Sequence, residues 1–508
     1  MSGVPLMNGQ SNPPKILIVG GGTAGWMAAN LMAHCWVASG VEVSLLESPD
    51  IGIIGVGEGS TPQLKRFFGY LGIAEQEWMP ACHATYKNGI RFKGWSSKPG
   101  YGEYFHPFDS DIDLHTQPAF FYNCDVRRHG VDVYAHPDRF YLSAHLAEHH
   151  KGPLPAPNFP FNIGYGYHFD SGLLGQFLRN RAVGLGVNHI QAKVQSVQRA
   201  GSGELVSVTT DQGHIITADF FVDCTGFNAL LIQKTLGVPF KKFADNLFND
   251  AAVAMPSPQG AVIGSQTLST AMRYGWAWEI PLTHRIGNGY VYSSAFCSAD
   301  EAETELRRKL GLLDADVQAR HLKMNVGRLE QHWSYNCLAV GLSQGFIEPL
   351  EATALHIVQE TIQGFIDAWE LGGFTPANRD AFNQRINARF EGVRDYIVAH
   401  YVCNSRSDTD YWLANRSHQA ISDNLRAVLQ TWVNAGNVVE QITRREMDKY
   451  YLPMSWYTLL SGYGLFPDRQ ALQPGTAKAH RYRLDDIDAF IAGCSLNFQE
   501  QAALLQRG

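Results

Sequence analysis

Charge is scarce in this 508-residue chain: Lys, Arg, Asp and Glu make up 18% of it, the formal net charge is −7, and no basic tract exceeds a few residues. That excludes a nucleic-acid backbone groove, which needs clustered lysine and arginine to displace counterions. Cysteines number eight, at 35, 82, 124, 224, 297, 337, 403 and 494, and none forms a Cys-x-x-Cys pair. They read as reduced structural thiols rather than a disulfide framework or zinc site. No apolar run reaches the roughly 20 residues of a membrane span, and the first ten residues lack the basic region and apolar core of an export signal. A cytoplasmic location, with neither membrane nor nucleic-acid partner, is the expectation. No internal repeat or low-complexity segment is visible, and a chain of this length buries a large core.

Glycine, at 49 residues, is plentiful, and its placement near the start is informative. The apolar run Lys15 to Val19 leads into Gly20-x-Gly22-x-x-Gly25 and then a small-residue segment from Trp26 to Leu31. This is a strand, a tight turn and a helix start: Gly20 permits the turn, Gly22 lets a pyrophosphate approach the backbone, and Gly25 lets helix pack on sheet. Thr23 and Ala24 open the helix, whose free amides and dipole favour phosphate. Val41 to Glu47 reads as a second strand whose terminal carboxylate, Glu47, is placed for a ribose hydroxyl. No second glycine fingerprint follows, so separate sites for two dinucleotides are not expected. Phe220 to Val222 is a third short strand running into Asp223, which could serve another polar part of an extended cofactor or cap a turn.

Residues 12–60 and 161–230 thus supply a dinucleotide module, with a helix starting after Asp170. Residues 61–160 read as helices and loops, 245–300 as a mixed sheet, and 349–508 as mainly helical, with Leu355, Val358, Ile362, Phe365 and Trp369 at helical spacing. The parts are expected to form a single body over 1–508.

Several side chains suit chemistry. Gly57-Glu58 opens a polar glycine-rich turn able to lie over a flat ring, although Glu58 could be an ordinary turn or cap residue. Lys87 stands in a mixed polar and apolar stretch where a snorkelling surface amine is the plainer reading. Glu351 follows Pro349, which suits a helix start. The carboxylate would then sit in the first turn, with the amides of Thr353 and Ala354 facing an anion, or would simply complement the dipole. His106-Pro107-Phe108 could form an ordinary packed turn. His145, His149 and His150 suggest two imidazoles on one helical face, but no third ligand matches and no metal is expected.

The most specific pattern is Gly275-Trp276-x-Trp278-x-Ile280-Pro281, two indoles one residue apart before a proline. With Gly20 to Gly25, Gly57-Glu58 and Glu348-Pro349-Leu350-Glu351-x-Thr353, it resembles the flavin-dependent halogenases of the tryptophan-halogenase type over most of the chain. The resemblance implies a mixed α/β, glutathione-reductase-like FAD-binding fold with an added mixed sheet and a helical substrate lobe. It implies FAD used as FADH2, supplied by a separate NAD(P)H-dependent flavin reductase, with oxygen and chloride or bromide yielding hypohalous acid that crosses a tunnel to a small aromatic substrate. Lys87 matches the family's essential lysine and Glu351 its catalytic glutamate. Thr353 and Ala354 match the halide-binding amides, His106 and Phe108 the arene sandwich, and Trp276 and Trp278 the barrier between flavin and substrate compartments. Ala352-Thr353-Ala354 departs from the frequent Ser-Thr-Gly, which keeps the amides but removes a hydroxyl and narrows backbone freedom. No clamp for the amino-acid part of free tryptophan matches, which leaves a smaller indole, a phenolic or heteroaromatic compound, or a carrier-bound or peptide substrate open, with an indole derivative expected first; a homodimer is compatible with the sequence. The alternatives are an FAD-dependent aromatic monooxygenase and a flavin-binding or structural descendant.

Overall fold

The computed structural model describes residues 13–50 and 57–506. The extreme N-terminus, used above, lies outside the described residues. The strand Lys15–Val19 is buried except at Lys15, as a central strand covered on both faces requires. It runs parallel to Glu42–Glu47 on one side and Phe220–Asp223 on the other. Asn188–Gln191 and Cys337–Ala339 extend the parallel sheet outward on the two sides, and Trp333–Ser334 adds an antiparallel edge. The helix Thr23–Trp36 connects the first two strands and buries Trp26 through Ala33 against the main core, giving the expected βαβ unit.

A second, seven-stranded sheet contains the paired indoles. Its order is Arg320–Lys323, Ala251–Pro258, Arg285–Tyr292, Gly275–Pro281, Thr267–Ala271, Gly89–Lys93 and Glu103–Pro107. The last two strands come from a region read above as helices and loops. They are short and nearly all buried, so they lack the alternation that marks a half-exposed strand. A three-stranded sheet joins the two halves: Gly166–Asp170 pairs with Gly57–Gly59 and with Thr85–Lys87. Glu58 is therefore a strand residue, and Lys87 ends a strand rather than lying at the surface.

From residue 354 onward the chain is mainly helical. Ala354–Leu371 and Arg379–Val402 pack on each other, and the first also packs on the Thr23–Trp36 helix. Glu351 does not occupy that helix's first turn. The helix begins at Ala354, and Ala352, three residues past Pro349, takes the left-handed region at φ +55°. Its amide donates to Pro349 O at 3.0 Å, so Pro349 closes a turn of its own. Among the described residues, no helix is long and apolar enough to cross a membrane.

Candidate active site

At the nucleotide end, two of the fingerprint glycines are required by contact. Gly20 has φ +113°, and a Cβ there would lie 2.1 Å from Cys224 O; a Cβ on Gly25 would lie 2.0 Å from Gly20 O. Gly22 faces open space, and no side chain caps the helix that starts after it. The amides of Thr23 and Ala24 therefore open onto a cradle that a pyrophosphate fits. The Glu47 carboxylate lies over Gly21 and contacts His189 Nε2 at 2.7 Å, a partner not identified by sequence. Asp223 is consumed internally: one oxygen accepts from the amide and hydroxyl of Thr225 and from Ser343 Oγ, the other from the amides of Leu231 and Ile232. Of the two readings given to it, turn capping is the one this geometry displays.

Glu58 stands beside Asp170, whose carboxylate caps the Ser171–Gly184 helix and receives Arg285 Nη2 at 2.6 Å. Desolvation, with a smaller contribution from Asp170, pushes the Glu58 carboxyl up to about 7. Gly57 packs against Gly287 in the second sheet, so this strand touches both sheets.

Lys87 is wholly buried, and its Nζ has no hydrogen-bond partner among the described residues. Desolvation lowers its pKa to about 7, opposed only in part by the charge of Glu351. Its neighbours are fixed: Thr85 Oγ1 donates to Pro281 O at 2.7 Å, tying this strand to the end of the two-indole strand. His168 lies between the hydroxyls of Thr85 and Thr267, at 3.1 and 2.9 Å, and burial keeps it neutral. The Phe108 ring centroid lies 5.5 Å from Lys87 Nζ.

Glu351 is equally buried but doubly held. One oxygen meets His400 Nε2 at 2.9 Å and the other lies 3.2 Å from His106 Nδ1. Burial alone would raise its pKa, but the two imidazoles outweigh that and hold it at about 2. The imidazoles are themselves braced, His106 Nε2 at 3.1 Å from Tyr396 OH and His400 Nδ1 at 3.1 Å from Tyr463 OH. His400 escaped the sequence reading because it belongs to no motif. Its signal was a polar residue four places after Tyr396 on an otherwise apolar stretch of helix.

His106, Phe108, Glu351, Thr353, Tyr451 and Met454 line a cleft of about 230 Å³ that opens beside Arg66 and Arg389. The amides of Thr353 and Ala354 donate to no described residue, as at an uncapped helix N-terminus. Trp276 and Trp278 are both buried, with ring centroids 6.1 Å apart, and Trp276 Nε1 donates to Glu348 Oε2 at 2.7 Å. His145 and His149 stack at 4.1 Å, and among the described residues no group of three His, Cys, Asp or Glu side chains is placed to hold a metal.

The fold and this pair of regions define a class: a dinucleotide-binding α/β enzyme with a separate buried amine and carboxylate. The tryptophan halogenase family profile matches residues 15–479. The tryptophan 6-halogenase of Streptomyces toxytricini is 36% identical over 502 residues, covering 92% of each chain. A 7-chloro-L-tryptophan 6-halogenase of Kutzneria sp. is 37% identical over 443 residues, covering 82% of this chain and 84% of the relative. The solved structure of a flavin-dependent halogenase from Xanthomonas campestris superposes with a TM-score of 0.84 at 30% identity, covering 98% of both chains. The chain belongs to the tryptophan halogenase family. It is a flavin-dependent halogenase with the mixed α/β flavin-binding fold of that group.

Proposed function

We propose that this enzyme halogenates an electron-rich arene, an indole derivative in the first instance, using FADH2 from a separate NAD(P)H-dependent reductase, oxygen, and chloride or bromide. The observation that carries the reading is the pairing of a wholly buried, unpartnered Lys87 with a buried Glu351 locked as a carboxylate. Reduced FAD, when bound, would supply the two electrons that bring oxygen to the peroxide level, at which oxygen can oxidise halide to hypohalous acid. The residues that would hold the flavin are Gly20, Gly22, Thr23, Ala24, Gly25 and Glu47 around the cradle, with Gly57 and Glu58 on the strand between the two sheets.

The remaining work falls to side chains of this chain. Thr353 and Ala354 offer amides to halide at the start of the Ala354–Leu371 helix. Trp276 and Trp278 wall the arene off from the flavin, so that halide rather than substrate is oxidised. Lys87 Nζ, with every proton free, donates to hypohalous oxygen and polarises the O–X bond toward the arene. His106 and Phe108 flank the ring, and Glu351 stabilises the cationic adduct and takes its ring proton, relieved by the two imidazoles behind it. The family relatives named for tryptophan support an indole nucleus, and the cleft opening beside two arginines leaves room for a substituent on it.

Product mass is the test. Purified enzyme is given FAD, a flavin reductase with NADH, oxygen, bromide, catalase and an arene panel led by indole and tryptophan. A monobrominated product that is absent with Lys87→Ala supports the reading. A hydroxylated product formed without bromide refutes it in favour of a monooxygenase.

A further inference from the structure

Glu348 precedes the proposed catalytic glutamate by three residues, and its burial in the two-indole wall has no role in the chemistry above. It is 0% exposed. One oxygen, Oε2, accepts from Trp276 Nε1 at 2.7 Å, Tyr401 OH at 2.6 Å and Asn249 Nδ2 at 2.9 Å. Asn249 is held in turn, accepting from Tyr411 OH at 2.9 Å and donating to Tyr401 OH at 2.8 Å. Every member of this knot is buried. The residue before Tyr401 is His400, whose ring holds Glu351. Consecutive side chains of the Arg379–Val402 helix therefore grip both glutamates of one short turn. That turn is stiffened by backbone bonds from Leu350 to Glu348 and from Ala352 to Pro349.

A buried carboxylate is costly, and an apolar residue would fill a merely structural wall as well or better. What a carboxylate adds is an acceptor that fixes the rotation of an indole carrying one N–H donor. We infer that Glu348 is a positioning residue that locks Trp276 across the path between the flavin and Lys87. In that role it links the wall to the Glu351 turn and keeps hypohalous acid on its route to the arene. The inference rests on the functional reading above and adds to it the residue that makes the wall tight.

The experiment measures where the oxidant goes. With reduced flavin limiting, bromide, catalase and indole present, bulk hypobromous acid is scored by bleaching of monochlorodimedone, and brominated indole is scored by mass. Glu348→Ala is expected to raise the ratio of escaped oxidant to product about three- to tenfold, the factor for losing the hydrogen bond that orients Trp276. Glu348→Gln, which keeps an oxygen acceptor, should hold the wild-type ratio. Trp276→Phe should raise it as Glu348→Ala does, and the double variant should leak no more than the worse single, because both remove one interaction. A fall in product with an unchanged ratio, or single effects that multiply in the double variant, would overturn the inference. If Glu348→Ala does not fold, Trp276→Phe with Tyr401→Phe carries the same test: a raised ratio in each with no multiplication supports it, and independent effects overturn it. Wild-type enzyme that oxidises flavin yet brominates nothing would bring down the functional reading first and this inference with it.

Discussion

Lys87 and Glu351 carry opposite charges in one buried region, and the protein treats them in opposite ways. The carboxylate is clasped by two imidazoles, each braced by a tyrosine, and stays ionised down to a pH of about 2. The amine is given no acceptor, and desolvation brings its pKa down to about 7. A charge that must stay ionised is cheapest when paired. A group that must bind a transient partner is kept unpaired, at the expense of stability.

The sharpest way to break that comparison is Lys87→Ala, expected to lower arene halogenation by about 10²–10⁴-fold. FAD affinity, read by flavin fluorescence quenching, should stay within about twofold, since Lys87 is not among the residues proposed to hold the flavin. Loss of flavin binding in this variant would make the lysine a structural residue. Next is Glu351→Gln, which keeps the shape and removes the charge. A fall in kcat of about 10–10²-fold with little change in KM is expected if the carboxylate acts in the transition state. His400→Gln should cost less, about tenfold, because His106 still faces the carboxylate. An unchanged kcat would show that the pairing of Glu351 is incidental.

The two ends of the enzyme differed in how far the sequence revealed them. Gly20, Gly22 and Gly25 are legible because the cradle is made by consecutive backbone, with Gly25 packed on Gly20 and Gly22 left open. The Lys87–Glu351 region is assembled from strand ends, a turn and a distant helix, so its composition leaves no local periodicity. Family resemblance pointed to the two charged residues, but the exposure of Lys87 was open and the helical placement of Glu351 was off by the length of the Pro349 turn. His400, His189 and the Glu348 knot depend on pairings 49 to 162 residues apart along the chain, which one sequence does not display. The buried strands at 89–93 and 103–107 were missed because they lack an exposed face to set the alternation.

The comparison also fixes a pH sign. Glu351 is held ionised well below neutrality, whereas Lys87 and Glu58 are both brought to about 7, so each can contribute a change in rate there. If the ammonium donates to hypohalous acid, kcat falls as pH rises through 7; if a neutral amine carries halogen, kcat rises there. Glu58→Gln separates the two sources, because only a Lys87 limb survives it. Lys87→Arg, which stays protonated, should retain some rate and lose the limb under the donor mechanism, and should be inactive under the other.

The smallest effect concerns stability, and it follows from the unpaired state itself. The folded pKa of Lys87 lies below the ordinary 10.5, so the unfolded chain holds the extra proton between about pH 7 and 10.5. The destabilisation is therefore full below pH 7 and fades as pH rises toward 10.5. Lys87→Met, close in shape and uncharged, should raise the melting temperature at pH 6 by roughly 1–4 °C. The gap from wild type should close by pH 10. A lower melting temperature for Lys87→Met at pH 6, in flavin-free and flavin-loaded protein alike, would mean that the amine is held by a favourable interaction. The contrast between a paired carboxylate and a free amine would then no longer hold.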